Sequence, residues 1–292
     1  MSAPAVRAYP VAPLTALDTV WFQVAGTLCN IRCAHCFISC APDNRSFPMM
    51  TRAEVGARLR EAEEFGAREY YFTGGEPFMN KEIFEILGDA LALGPVSVLT
   101  NALLIKPKTA ARLKSLAGAS PYSLDLRVSL DGYDAATNDP IRGEGTFDRI
   151  MAGLGELAAA GHDPVVTTTE ACEGVAASEG RARFLEFLRA AGLKRPRLKV
   201  LPLLRLGAET ARTHAYESWE TLRGRELSET EGAGLQCTTS RMVTAKGVYV
   251  CPLLIDFPGA RLAATLRESL RPFELAYPAC FTCHATGLSC RT

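Results

Sequence analysis

Three thiols stand within eight residues of this chain, at Cys29, Cys33 and Cys36, spaced by four and three. Thiolates are soft donors suited to iron–sulfur clusters and to zinc. Three in one short loop can grip three corners of a cubane or three of the four positions around a tetrahedral ion. Cys40 or His35 could complete a zinc site locally. Structural zinc loops more often use paired cysteines, however, and a three-thiol run directly after an apolar strand favours a cubane with one iron left open. A second set of thiols, Cys237, Cys251, Cys280, Cys283 and Cys290, lies at the far end, and only Cys172 falls between the two groups. Cys172 reads as a small buried hydrophobe. Cys40 reads as a bystander rather than a ligand.

These residues must be positioned by something, and the chain supplies a regular rhythm. Strands are predicted over 20–24, 69–73, 96–100, 124–129, 165–169 and 198–203. Helices are predicted over 51–65, 81–93, 107–116, 147–160 and 181–191. Thr51 and Glu54 form a capping-box signature, and Pro107 suits a first helical turn. Six strand–helix units imply parallel strands joined by right-handed crossovers, as a doubly wound sheet or a barrel. Ligands in such folds collect at the carboxyl ends of the strands. The chemically unusual segments sit there: the cysteine loop after strand one, Gly74-Gly75-Glu76-Pro77 after strand two, Thr100-Asn101 after strand three, and Ser129-Leu130-Asp131-Gly132 after strand four. One site built from several loops follows.

The front loop together with Gly74-Gly75-Glu76-Pro77 resembles the radical S-adenosylmethionine (radical SAM) enzymes. The resemblance implies a partial (β/α)6 TIM-like barrel and a 4Fe–4S cluster held by Cys29, Cys33 and Cys36. In that family the open iron chelates the amino and carboxylate groups of S-adenosylmethionine. One electron then yields a 5′-deoxyadenosyl radical that takes a hydrogen atom from substrate. By the same resemblance Gly74, Gly75 and Glu76 face the cofactor's ammonium, and His35 packs on the cluster or the adenine. Taken alone, the Gly-Gly-x-Pro sequence would be a strand-ending turn. Ser129-Leu130-Asp131-Gly132 with Arg142 resembles a segment of the family's SPASM/twitch branch, in which Ser129 and Arg142 contact the ribose or carboxylate. Arginine suits a carboxylate through two-pronged geometry; otherwise Arg142 is an exposed loop residue. Asn138 stands where that segment commonly has histidine. Asn101 ends its strand as in many relatives.

The tail resembles the shorter, twitch form of the auxiliary-cluster domain. Cys237 and Cys251 open the motif, and Cys280, Cys283 and Cys290 close it. Five thiols suit one auxiliary 4Fe–4S cluster with one thiol spare, Cys290 being able to replace Cys280 or Cys283. A zinc ribbon is the alternative for two separated pairs. Glu170 and Glu173 past strand five, and Arg205 past strand six, are candidates for binding substrate or moving a proton, or else are loop charges in water.

The predicted organisation is an N-terminal extension over 1–18, a partial barrel over 19–207, a bridge over 208–236 and a Cys-rich auxiliary domain over 237–292. The tail is predicted to hold a hairpin around Lys246-Gly247 and a helix over 262–270. Lys+Arg and Asp+Glu balance at 32 each, which gives no sign of a nucleic-acid partner. No apolar run reaches the ~18–20 residues of a membrane helix. Without an export signal, ten cysteines fit reduced thiols in the cytoplasm better than disulfides. The functional expectation is an oxidoreductase fed by a flavodoxin- or ferredoxin-type electron donor. Its substrate would be a small molecule, since only 28 residues precede Cys29, or a short peptide with a separate leader-binding partner. A non-catalytic iron–sulfur or zinc scaffold is the competing class.

Overall fold

A computed structural model describes residues 8–288. The chain enters through a two-residue strand, β1 (Val11–Ala12), and reaches β2 (Thr19–Gln23). The rhythm then runs α1 (Arg52–Glu64), β3 (Glu69–Thr73), α2 (Ile83–Leu91), β4 (Val96–Thr100), α3 (Pro107–Ala119) and β5 (Leu124–Ser129). Two helices follow, α4 (Ala135–Arg142) and α5 (Thr146–Ala159), then β6 (Val165–Thr169), α6 (Ser178–Ala190) and β7 (Arg197–Leu201). Strands β2 to β7 lie side by side in chain order, every neighbouring pair parallel. The fold is therefore mixed α/β with a parallel sheet. β7 stops one residue before Pro202, which has no N–H to give a ladder.

Each strand shows one face to the helices and the other to the interior of the sheet. On β2 and β3, Phe22 stacks on Phe72 on one face (5.3 Å) and Trp21 on Tyr71 on the other (4.3 Å). β2 is buried along its whole length, as a strand covered on both faces must be. Thr51 and Glu54 make the capping box of α1 that the sequence predicts.

The bridge carries two short helices, α7 (Ala208–Arg212) and α8 (Glu229–Gly234). Beyond it, β8 (Ser240–Thr244) joins the same sheet, parallel to β2, with Thr19 opposite Ser240. β9 (Gly247–Tyr249) and β10 (Arg261–Ala263) extend the sheet antiparallel. The hairpin turn falls at Ala245–Lys246. The helix predicted over 262–270 is mostly absent. Its first residues form β10, and only α9 (Leu266–Ser269) remains, because Thr265 caps it by accepting from Glu268 N. β11 (Phe273–Glu274) pairs with β1, and α10 (Pro278–Thr286) ends the described chain. None of the helices among the described residues is long and apolar enough to cross a membrane.

The helix α4 was not anticipated, since Pro140 and Gly143 read as loop signals. Asp134 starts it with a capping box to Thr137, and Gly143 (φ 110°) stops it. This helix carries Arg142 to the site.

Candidate active site

The cysteine loop is a fold in its own right. It leaves β2 through Gly26 (φ 56°), where a Cβ would lie 2.0 Å from the Phe47 carbonyl oxygen. Cys29 N donates to Ala41 O (3.1 Å) and Ala41 N to Thr27 O (3.2 Å). Asn80 Nδ2 donates to both Val24 O (2.9 Å) and Met50 O (2.8 Å), clamping the two ends of the loop. Loops without regular structure otherwise lose such order to chain entropy.

This folding turns Cys29, Cys33 and Cys36 onto one cavity of about 230 Å³. Burial pushes the Cys29 thiol up to about 11 and Cys33 up to about 12. Both thus keep their protons until a cation in the cavity displaces them, which is how thiols take up metal. Cys36 differs. The Cys40 thiol donates to it, Cys40 N lies 3.3 Å from its sulfur, and its pKa falls to about 6. The proton of that pair stays on Cys40, which is buried. Three thiols facing a space with backbone and amide donors behind them match the donor set of a 4Fe–4S cluster.

Asp131 is the hub of the opposite wall, and the sequence reading passed over it. Its Oδ2 accepts from Arg142 Nη2 and lies against His35 Nε2, each at 2.7 Å. Its Oδ1 accepts from Thr169 N (2.8 Å) and Thr169 Oγ1 (2.9 Å). Burial alone would raise this carboxyl, but Arg142 and His35 hold it well below the ordinary carboxylate range. Arg142 is itself buried, and its Nη1 stands 4.0 Å from Cys33 Sγ. It is thus no exposed loop residue. Asn138 supports the arrangement by accepting from Asp131 N (3.1 Å). Ser129 lines the cavity two residues before the hub.

Gly74 and Gly75 also line the cavity, and their lack of a side chain serves the protein itself. A Cβ on Gly75 would lie 1.9 Å from Leu28 O, and one on Gly74 (φ 142°) 2.9 Å from Ala25 Cβ. The strand end packs directly beneath the cysteine loop. The Glu76 side chain does not reach the cavity. Its carboxylate is fully buried and accepts from Phe78 N (3.1 Å), Thr100 Oγ1 (2.8 Å) and Asn101 N (2.8 Å), tying the ends of β3 and β4 together. Asn101 in turn donates to Asn30 Oδ1 (2.7 Å) and faces Cys29 Sγ at 3.7 Å.

Glu76→Gln should destabilise the fold by about 1–3 kcal/mol, because the amide sets an N–H against one of these donors. Chemical denaturation checks this. Burial raises the Glu76 carboxyl from 4.5 to about 7. Its contribution to stability is therefore whole below 4.5 and is lost as pH rises through 7. The Gln variant should lack that slope.

The three catalytic candidates do not converge here. Glu170 and Glu173 are exposed on the loop after β6 and do not line the cavity. Arg205 pairs with Glu220 and lies over the Tyr216 ring (4.6 Å), also outside the lining. The loops past β6 and β7 carry these charges away from the interior. The structure instead brings in Trp21, Arg127, Thr167 and Lys199 from within the strands. Alternation along each strand was the available signal, since Arg127 shares a face with Ser129.

At the other end, Cys237, Cys251, Cys280 and Cys283 line a second, small cavity of about 30 Å³ with apolar walls. Cys290 lies outside the described residues. Burial pushes Cys237 up to about 11 and Cys280 up to about 12. Arg241 is fully buried beside them, donating to the carbonyl oxygens of Cys237, Ser240, Ser269 and Arg271. Among the described residues no carboxylate pairs with it. Leu253 lines both cavities. None of the nine described cysteines is in a disulfide.

Comparison with known proteins bears on this geometry. The model of the Radical SAM superfamily matches residues 24–171, just over half of the chain. The mycofactocin maturase MftC of Mycolicibacterium smegmatis is 34% identical over 136 residues, covering 46% of this chain and 32% of that protein. The AdoMet-dependent heme synthase of Nitratidesulfovibrio vulgaris is 33% identical over 143 residues, covering 48% and 37%. The matched region thus spans well under half the length of either. Among solved structures, anSMEcpe with bound AdoMet superposes with a TM-score of 0.63 at 14% identity, covering 86% of this chain and 79% of that one. Streptococcus suis SuiB bound to S-adenosylmethionine gives 0.62 at 18%, covering 84% and 62%. The fold and the thiol loop define an enzyme class that works with an iron–sulfur cluster and S-adenosylmethionine. The chain belongs to the radical SAM superfamily.

Proposed function

We propose that this protein is a two-cluster radical SAM oxidoreductase acting on a peptide substrate. Cys29, Cys33 and Cys36 would hold the first 4Fe–4S cluster. Gly74, Gly75, Asn101, Ser129, His35 and Arg142 would seat S-adenosylmethionine beside it, while Glu76 holds the strand ends from behind. Bound there, the two groups would supply the radical chemistry of the family, hydrogen-atom abstraction from substrate. The observation that carries the proposal is the convergence of the three thiols with the ends of β3, β4 and β5 on one cavity. In this reading residues 19–207 form a partial (β/α)6 barrel, 1–18 an extension, 208–236 a bridge and 237–292 the auxiliary domain. The concave lining shared by β2 to β7 supports the barrel.

Cys237, Cys251, Cys280 and Cys283, with Cys290 as a further thiol, would hold one auxiliary 4Fe–4S cluster. Arg241 supports this placement. A cation buried among carbonyls needs a negative counterpart, and a thiolate-bound cluster beside it provides one. The auxiliary cluster would take an electron from the substrate radical or orient the substrate, completing an oxidation or a bond formation. A peptide substrate is favoured by a relative named as a maturase and by a solved anSMEcpe complex with a Cp18Cys peptide. A small-molecule substrate is the second reading, favoured by relatives named as heme synthase and GTP 3′,8-cyclase. A flavodoxin- or ferredoxin-type donor and a cytoplasmic location belong to the same reading.

Anaerobic reconstitution tests the assignment. About eight irons per chain, with 5′-deoxyadenosine formed on reduction, is the expected result. Stoichiometric zinc without cleavage would overturn it. Cys251→Ala should lower iron to about four per chain, keep cofactor cleavage and stop completed turnover. Unchanged product formation would remove the essential second cluster.

A further inference from the structure

Cys40 is the one thiol of the front loop with no part in the assignments above, yet it is buried and lines the main cavity. The chain turns back on itself between Cys36 and Cys40. Ser39 takes φ 49°, in the left-handed region that few residues other than glycine adopt. Ser39 N donates to Cys36 O (3.1 Å), which also accepts from Ala208 N (2.9 Å). Asn44 Nδ2 donates to Ser39 O (2.9 Å) and fixes the turn from further along the loop. The turn brings Cys40 N to 3.3 Å from Cys36 Sγ.

Two observations point to what this turn does. The first is strain. A left-handed non-glycine residue persists only where its surroundings over-determine it, and such residues gather at functional sites. The second is the product of the turn, a sulfur with two donors, the N–H and the S–H of Cys40. The other two front sulfurs are approached less closely. Asn101 Nδ2 stands 3.7 Å from Cys29 Sγ, and Arg142 Nη1 4.0 Å from Cys33 Sγ. Cys40 is buried, so its hydrogen bonds lie in a medium of low dielectric, where they are electrostatically stronger than in water.

We propose that Cys40 is a positioning residue that sets the reduction potential of the cluster held by Cys29, Cys33 and Cys36, raising it by donating to Cys36 Sγ. Reduction adds an electron whose charge spreads onto the ligating sulfurs. A hydrogen bond strengthens as its acceptor gains negative charge, so a donor on one of these sulfurs favours the reduced form. Hydrogen bonds to the sulfurs are among the levers that set such potentials, and outer partners tune a metal through its ligands. The backbone N–H is present whatever side chain stands at position 40; the S–H is what cysteine adds. The inference rests on the first-cluster reading above and deepens it, giving a task to a fourth thiol that holds no iron.

The test is a redox titration of the anaerobically reconstituted protein, followed by electron paramagnetic resonance. The signal that Cys33→Ala lacks belongs to the first cluster. At a fixed solution potential, Cys40→Ala should show a reduced-to-oxidised ratio at least about threefold below that of the wild type, equivalent to a midpoint about 28 mV more negative for one electron. Cys40→Ser, which keeps a donor, should lie between the two. Iron content should be unchanged in both. An unchanged midpoint in Cys40→Ala overturns the proposal and leaves the first cluster standing. A Cys40→Ser midpoint as low as that of Cys40→Ala assigns the shift to lost volume and overturns it too. Loss of the signal from both variants makes Cys40 a ligand, with the same consequence. Absence of the signal from the wild type refutes the first-cluster reading, and the proposal falls with it.

Discussion

Cys33→Ala should abolish reductive cleavage of S-adenosylmethionine. Cys33 is the central thiol of the loop, faces the cavity and has the Arg142 guanidinium 4.0 Å from its sulfur. With it gone, two thiols remain, too few to fix three corners of a cubane. The loop itself should survive, because its order comes from the Thr27, Ala41 and Asn80 hydrogen bonds rather than from Cys33. The expected result is 5′-deoxyadenosine at background, iron reduced to the auxiliary complement, and an unchanged far-ultraviolet circular dichroism spectrum. Cys172→Ala is the matched control, since Cys172 is buried outside both cavities. It should cleave the cofactor normally. Cleavage retained by Cys33→Ala would place the first site elsewhere.

Asp131→Ala should cost about 3–5 kcal/mol of stability, the range for leaving a buried charge without its partner. Arg142 is buried, and among the described residues its ion pair is with this carboxylate. His35 loses its partner in the same change. Two walls of the cavity should therefore loosen together, and the variant should lose cofactor binding as well as stability. Denaturant melts and S-adenosylmethionine binding check the two effects. Asp131→Asn separates them, since it keeps the volume and one acceptor oxygen. The pH dependence has a fixed sign. The folded carboxyl titrates below its unfolded counterpart, so its contribution is present above the unfolded value and is lost as pH falls through the folded one. Asp131→Asn should flatten that acid limb.

Strands β3, β4, β5 and β6 fall on the residues that alternation and turn signals select. They were legible because each is short, apolar and bounded by breakers. The three front thiols were legible for another reason: local spacing is enough to place them in one loop. Asp131 was not. In sequence an Asp-Gly pair reads as a turn, and its partners His35 and Arg142 come near only through the sheet and through α4. That helix was itself hidden, because Pro140 counts against a helix unless the Asp134 cap is recognised. Lys199 and Arg127 were missed because a charge in a strand suggests a solvent face. In a sheet whose inner face lines a cavity, the same alternation points the charge inward. Glu170, Glu173 and Arg205 show the reverse error, position near a strand end being taken for orientation toward the site. The tail joins the parallel sheet through β8, a pairing between residues more than two hundred positions apart that no local pattern reports.

Leu253 belongs to the linings of both the thiol-lined tail cavity and the main one. Its aliphatic side chain offers water no hydrogen bond, so it adds no polar link between the two. A change in the size of this one residue would alter the shape of both cavities at once.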